Sequence, residues 1–299
     1  MRFRSSIAIG AFCLLAAACG WAEGGDSARL ASVLAWDRDE DWFGGFSGME
    51  VAPDGNTFLM VTDRGRFVEG RFMRDDDGGL VGVEEVRMER VKTRTGEVPR
   101  PFERNSEGLA QSAQGGPIYV CFEGQHKVEA FEYPGASAQS LPALPGTEQL
   151  SRNEGLEALA VDQVGRLVVV SEGAPEAEEG FPIWRLAEGE WHILDNISRE
   201  GGFRPVGADF GPDGRFYLLE RSFNVVGFSN RVRRFDVEND KLVNGQELFR
   251  AATGVHDNLE ALSVWRDTTG AIRLTMVSDD NFFSFQRTEV VEYVVQQAP

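Results

Sequence analysis

Acidic residues recur in this chain where apolar segments end, in a pattern that would assemble oxygen ligands for a hard cation. The segments Thr57 to Asp63, Ile118 to Glu123, Leu167 to Glu172, Phe216 to Glu220 and Ile272 to Asp279 each run through aliphatic, β-branched or aromatic residues into a carboxylate. A second column opens the apolar segment just before: Ser47, Glu107, Glu157, Val206 and Glu260. Where that column lacks an acid, Glu50 and Asp209 follow three residues later. Asp and Glu make up 48 of the 299 residues, so an acid at one point of five successive units is not a chance scatter. Crowded carboxylates repel and must take up protons or a cation. Oxygen donors of this kind suit Ca²⁺ or Mg²⁺, and Ca²⁺ tolerates the irregular, multi-carboxylate arrangement better.

Roles can be assigned on those terms. Asp63, Glu123, Glu172, Glu220 and Asp279, with Asp280 adjoining, are the candidate metal ligands; Glu107, Glu157 and Glu260 are the candidate catalytic acids, holding metal or activating water. Arg64, Arg66, Arg104, Arg152, Arg204 and Arg221 stand close to these acids. Guanidinium groups grip phosphate or carboxylate bidentately, and Arg64 and Arg221 are the candidates for binding an anionic substrate. The other arginines are read as ion-pair partners of the acids.

Other chemistries lack their residues. Gly45-Phe-Ser47-Gly48-Met49 fails the nucleophile-elbow pattern at its last position. The histidines are His126, His192 and His256, and no H-E-x-x-H occurs. Cys121 is followed by Lys127 where a phosphatase cysteine loop would carry Arg, and Asp75-Asp-Asp-Gly78 lacks the closing Glu of an EF-hand loop and reads as a solvated turn. His256 lies just before Glu260 and is expected at the surface.

The elements that must position these acids are β-hairpins. Pro53-Asp54-Gly55 and Pro212-Asp213-Gly214 are turns with a mechanism, since Pro fixes φ and Gly accepts a positive one. The first strand of a hairpin begins where the second ends, so the two acidic columns should meet at one rim. Successive units start roughly 50 residues apart, and further strand candidates follow, such as Pro182 to Glu190 and Arg231 to Val237. No sustained helical period interrupts them. The pattern predicts an all-β propeller of four-stranded antiparallel blades. Five blades follow from this count, and a sixth would have to lie in the irregular stretches 89–103 or 132–153. The last unit has only Glu289 to Val295 beyond its hairpin, so Leu30 to Trp36 is expected to supply its fourth strand and close the ring.

Composition bounds the setting. A net charge of −18 opposes nucleic acid or an anionic membrane surface as partner and suits an exported protein. Residues 1–22 read as a signal peptide: Arg2 and Arg4, an apolar run from Ile7 to Ala18, then small residues. Leu15-Ala16-Ala17-Ala18-Cys19 resembles a lipobox, which would put a lipid on Cys19 and make it the one membrane contact; cleavage after Ala18 or Ala22 without lipid is the rival. The location is then the periplasm, an outer-membrane anchor or the exterior. Residues 23–299 read as one propeller domain. Cys121, inside Ile118-Tyr-Val-Cys-Phe122, is expected to be a buried apolar residue.

Taken in order, Glu107-Gly-Leu-Ala110, Glu154-Gly-Leu-Glu157, Leu219-Glu220-Arg221-Ser222, Leu259-Glu260-Ala-Leu262 and Ser278-Asp-Asp-Asn281 resemble the bacterial phytase-like propellers described as "esterase-like activity of phytase". The likeness spans Phe43 to Val295. It implies an exported propeller with Ca²⁺-dependent hydrolysis of a small phosphoester or ester. The chain departs from the pattern in having Ala158 and Ala261 where Gly108 stands, and it lacks a Lys-rich face for inositol hexakisphosphate. Two alternatives are a metal-dependent lactonase and a non-catalytic envelope protein that uses the propeller as a binding scaffold.

Overall fold

Apolar side chains on both faces of each strand dictate how the sheets assemble. In Phe216–Asn224, Phe216 and Leu218 pack toward the preceding unit while Tyr217 and Leu219 pack toward the following one. Successive side chains point to opposite faces, so a strand of this kind must be sandwiched between two neighbouring sheets. The computed structural model describes residues 26–151, 154–173, 180–239 and 241–297, and in it five such sheets stand around one axis.

Blade 1 holds Phe46–Val51, Thr57–Thr62, Arg66–Arg74 and Leu80–Arg90, in that order from the axis outward. Blade 2 holds Ser106–Gln111, Ile118–Phe122, Lys127–Phe131 and the two-residue Gln139–Ser140. Blade 3 holds Leu156–Val161, Leu167–Ser171, Gly180–Ala187 and Glu190–Ser198, and blade 4 holds Arg204–Phe210, Phe216–Asn224, Gly227–Glu238 and Lys241–Ala251. Blade 5 takes Leu259–Arg266, Ile272–Ser278 and Glu289–Gln296 from the end of the chain and Ser27–Ala35 from its beginning. The expected closure is therefore present, with Ser27 opposite Gln296 and Ala35 opposite Glu289.

Five blades leave five interfaces, and the buried apolar residues fall into five clusters, one per interface. Cys121 lies in the cluster between blades 2 and 3, as expected of a small apolar residue. Trp36, stacked on Phe46 at 5.2 Å, and Trp265 belong to the cluster between blades 5 and 1. The stretches 89–103 and 132–153 hold short connections and the minor fourth strand of blade 2 rather than a sixth blade, among the described residues. The signal peptide expected over residues 1–22, with Cys19, and Arg152 lie outside the described residues.

Turn chemistry sets the lower ends of the hairpins. Gly55 donates to the Ala52 carbonyl at 2.9 Å with φ 70°, and Asp54 accepts from the amides of Asn56 and Thr57. Gly214 repeats the arrangement with φ 76° and a bond to the Gly211 carbonyl. Asp75 accepts the amides of Asp77 and Gly79, which makes its acidic run the expected solvated turn.

Candidate functional site

The innermost strand of every blade carries a register shift near its start, after the first residue in blades 1, 2, 3 and 5 and after the second in blade 4. The shifts fall between Phe46 and Gly48, Ser106 and Gly108, Leu156 and Ala158, Pro205 and Gly207, and Leu259 and Ala261. The residue left unpaired in each bulge is Ser47, Glu107, Glu157, Val206 or Glu260. These are the members of the first column read from the sequence. A bulge re-aims its side chain and bends the strand, and here it turns three carboxylates toward the axis. Gly48, Gly108 and Gly207, the next residues, let neighbouring inner strands approach: a Cβ on Gly108 would come within 2.4 Å of the Glu157 carbonyl oxygen. That position contacts the adjoining blade rather than a substrate, so Ala158 and Ala261 do not narrow the mouth.

The second column closes each hairpin by a shared bond. The amides of Asp63, Glu123, Glu172 and Asp279 donate to the carbonyls of Gly45, Asn105, Gly155 and Asn258 at 2.8–3.0 Å. Blade 4 differs from the sequence reading. Pro205 opposes Glu220, as Phe46 opposes Thr62 and Ser106 opposes Phe122, and Arg204 opposes Arg221. The equivalent of Asp63 is thus Arg221, not Glu220. Glu220 is fully buried on the opposite face of its strand, where it receives Nε and Nη2 of both Arg231 and Arg233 at 2.6–3.1 Å. It is an interface residue and stands away from the metal candidates.

The mouth therefore joins two layers: Glu107, Glu157 and Glu260 in the bulges, and Asp63, Glu123, Glu172, Arg221 and Asp279 at the strand ends. Carboxylate oxygens of Glu123, Glu157 and Glu172 all lie within 4.8 Å of one another. Burial and then the charges of Glu107, Glu172, Glu260 and Glu123 push the Glu157 carboxyl well above its ordinary range. Glu107 is pushed up by burial and by Glu260, Glu123, Asp63 and Asp279. Burial raises Asp279 to about 9, with Glu260 adding to it, and raises Asp63 to about 6 against the pull of Arg64. Glu123 and Glu172 are also raised by burial, Glu123 further by Glu172, while Arg221 and Arg204 oppose the rise at Glu172. Negative charge here exceeds what the protein's own cations neutralise. The Oδ1 atom of Asp63 is buried with no hydrogen-bond partner among the described residues. Donors bound to one Ca²⁺ at ~2.3–2.6 Å can stand up to about 5 Å apart, so the Glu123, Glu157 and Glu172 oxygens could hold one ion.

The arginines divide between these acids and free space. Arg221 donates Nη1 to Glu260 and Asn258 and Nη2 to Glu172 at 3.5 Å. Burial works against its charge, but Glu260, Glu172 and Glu157 hold its pKa above the ordinary value. Arg204 pairs with Glu154 at 2.8 Å. Arg64 lies over the Phe282 ring, 3.1 Å from its centroid. Arg66 has Nε and Nη1 buried with no acceptor among the described residues, and its pKa is lowered by burial and by Arg90, Arg104 and Arg64. The Arg66 guanidinium, without an acceptor for Nε and Nη1 among the described residues and with Arg64, Arg90 and Arg104 nearby, suits an anion.

Asp280 is engaged otherwise than expected of a metal ligand. Its Oδ1 accepts the amides of Gly45 and Phe282, and its Oδ2 accepts the Thr288 hydroxyl, which joins the loops of blades 1 and 5. Gly44 and Gly45 have positive φ, and a Cβ on either would meet the carboxyl of Asp280 or Asp63 within 2.6 Å. Sequence reasoning passed over Asn105 and Asn258, whose amides hold Glu123 at 2.7 Å and Glu260 at 2.8 Å. Their signal was the pair Asn105-Ser-Glu107 and Asn258-Leu-Glu260, an Asn two residues before each of two bulges. It also passed over His126, whose Nδ1 is buried without a partner among the described residues and abuts Gly155 beside Glu123. His256 is not at the surface: its Nε2 meets the Tyr293 hydroxyl at 2.8 Å inside blade 5.

Glu50 and Asp209 do not stand in for the acids missing from the first column. They lie three residues deeper in the channel, in a ring with Ala110, Ala160 and Ser263. Glu50 accepts from Gln111 N and the Ser263 hydroxyl, and Asp209 accepts from Val264 N at 2.6 Å. Both line a cavity of about 670 Å³ at the opposite end of the axis.

Comparison with known proteins bears on the whole chain. The sequence-family model "Phytase-like: Esterase-like activity of phytase" matches residues 41–282. No curated protein matches the sequence. Among solved structures, the catalytic domain of a GH62 α-L-arabinofuranosidase from Coprinopsis cinerea aligns with a TM-score of 0.54 at 10% identity, covering 91% of this chain and 97% of that one. A gluconolactonase from Xanthomonas campestris aligns at 0.49 and 14% identity, covering 86% and 89%. The PQQ-bound aldose sugar dehydrogenase from Streptomyces coelicolor aligns at 0.47 and 12% identity, covering 91% and 100%. At such identities the likeness concerns the fold, and the chemistry has to be read from the mouth itself.

Proposed function

The chain belongs to the phytase-like family, and from that membership and the geometry of its mouth we propose a divalent-cation-dependent hydrolase of a small anionic phosphoester or ester. The observation that carries this reading is the triad of Glu123, Glu157 and Glu172, with donor atoms within 4.8 Å, set beside Arg221. These three carboxylates would hold Ca²⁺. When bound, the ion would offset their mutual repulsion and polarise the oxygen of the scissile group. Glu107 and Glu260 face the same space from the bulges of blades 2 and 5 and are the candidates to take a proton from attacking water. Arg221 and Arg64 would steady the charge that develops on the substrate. The leader supports export, to the periplasm or, through a lipid on Cys19, to the outer membrane.

The test is a thermal melt of the metal-free protein across a Ca²⁺ titration, followed by turnover of phosphate-ester, carboxylic-ester and lactone substrates with and without chelator. Binding at 100 times Kd should stabilise by about 2.7 kcal/mol, roughly 5–10 °C for a domain this size. Glu157→Gln should abolish both the shift and turnover. Lactone turnover alone would move the assignment to a lactonase. A flat titration with no turnover would overturn the proposal and leave a binding scaffold.

A further inference from the structure

Blade 4 carries a feature that neither ring closure nor metal binding requires. Its second and third strands, Phe216–Asn224 and Gly227–Glu238, run beyond the rim and are joined by Val225 and Val226 alone. Tight turns favour Gly, Asn, Asp or Pro, yet here two β-branched residues stand 99% and 81% exposed. Phe223 beside them is 66% exposed. The hairpin is held upright by its own contacts, since Asn224 accepts the Val226 amide at 3.0 Å and donates to Thr253 at 3.0 Å. Facing it, blade 5 presents Phe283 and Phe285, stacked at 5.2 Å, with Phe285 81% exposed. A turn fixes that pair, because Phe283 N donates to the Asp280 carbonyl at 2.8 Å and Gln286 N to the Phe283 carbonyl at 3.0 Å.

Between these walls lies a cavity of about 810 Å³, within the range of small-molecule sites. Its floor is shared with the acidic mouth: Glu172 and Arg221 line both. Arg204 and Arg287 add positive charge along the same wall. An apolar patch of this kind on a soluble surface marks a binding surface, and its continuity with the mouth identifies the occupant as the apolar part of whatever the mouth acts on.

We propose that this cavity is a subsite for the alkyl or aryl group of the substrate. The substrate class is then an amphipathic anion whose phosphoryl or acyl ester lies against Arg221 and Glu172, with its apolar group between Phe223 and Phe285. This specification rests on the hydrolytic reading of the mouth. A lipid surface is disfavoured as the occupant by the net charge of −18 and by Glu172 and Asp257 in the lining.

Binding and turnover are measured separately, so that the two readings can fail independently. In calorimetry with Ca²⁺ present, phenylphosphonate should bind at least tenfold more tightly than methylphosphonate, with a negative heat-capacity change. Phe223→Ser and Phe285→Ser, both at exposed positions, should remove most of that preference and leave methylphosphonate affinity unchanged. In turnover, phenyl or octanoyl esters should exceed methyl or acetyl esters in kcat/KM, and the same variants should erase the difference through KM. Equal affinity of the two phosphonates, or a preference unchanged in both variants, would overturn the subsite even if short esters are hydrolysed. A selective subsite without any turnover would keep the pocket and remove the catalytic reading. Binding to neutral phosphatidylcholine vesicles lost in the same variants, with no phosphonate preference, would reassign the patch to a membrane and also overturn the proposal.

Discussion

At the scale of single residues, buried carboxylates make this protein's stability depend on pH away from the mouth as well as in it. Asp209 is buried in the channel with Glu50 and Ser263 nearby and the Val264 amide as its donor, and burial raises its pKa from 3.8 to about 7. Burial and then the charge of Asp209 push Glu50 well above its ordinary value, while Gln111 N and Ser263 pull the other way. An acid whose pKa is higher folded than unfolded binds its proton more tightly in the native state. Its favourable contribution is complete below the unfolded value and is lost as pH climbs through the window from 3.8 to about 7. The metal-free protein should therefore be more stable near pH 5 than near pH 8. Asp209→Asn keeps an acceptor for Val264 N but removes the charge. Subtracting its unfolding free energy from that of the wild type should isolate a slope of up to about 1.4 kcal/mol per pH unit inside the window. Parallel curves in urea titrations from pH 4.5 to 8 would remove Asp209 from the account.

At the scale of elements, one strand separates what could be read in advance from what could not. Arg221 and Glu220 are neighbours on Phe216–Asn224 with side chains on opposite faces. The first acidic column was legible because its members in blades 1 to 4 stand 8 residues before a Gly-centred turn, at Gly55, Gly115, Gly165 and Gly214, and Glu260 stands 10 before Gly270, so the turn marks where the inner strand begins. The bulges themselves left no mark in the sequence, since a bulge is a relation between two strands. The second column was legible in four blades, where the strand ends at the acid. In blade 4 the strand continues to Asn224, so Leu218-Leu219-Glu220 imitates the ending seen in Leu167–Ser171 and its acid, one residue out of register. A one-residue slip sends a side chain to the other face. The consequence is measurable. Glu220→Gln leaves Arg231 and Arg233 underpaired in a buried interface and should cost about 3–5 kcal/mol, with the Ca²⁺ response intact. Arg221→Gln removes the one cation among the acids of the two rings, so the metal-free protein should melt lower and gain more from Ca²⁺ than the wild type does. Loss of the Ca²⁺ shift in Glu220→Gln, with an unchanged shift in Arg221→Gln, would reverse the assignment of the two positions.

At the scale of the whole molecule, no blade can stand alone, because each buries apolar side chains on both faces and needs two neighbours. The ring must close, and the closing interface is reinforced by polar contacts as well as by apolar packing. Glu292, fully buried in blade 5, receives Arg74 of blade 1 through two bonds at 2.7 and 2.8 Å, together with Arg273 and Thr275 of its own blade at 2.9 Å. The strand Ser27–Ala35 does a different job. Its residues are mostly half-buried or exposed, so it adds little to the core, but it pairs along the whole of Glu289–Gln296 and covers what would be an open edge. An uncovered strand carrying Val290, Val291, Val294 and Val295 is a template for pairing with another chain. Deleting residues 26–35 should therefore lower the melting temperature and drive self-association, visible as higher mass in light scattering. The Ca²⁺ shift should persist in whatever fraction remains folded, because Glu123, Glu157 and Glu172 belong to blades 2 and 3, away from the deleted strand. A monomeric deletion variant with the wild-type melting temperature would show that Glu289–Gln296 needs no cover and that closure rests on the Arg74–Glu292 interface alone.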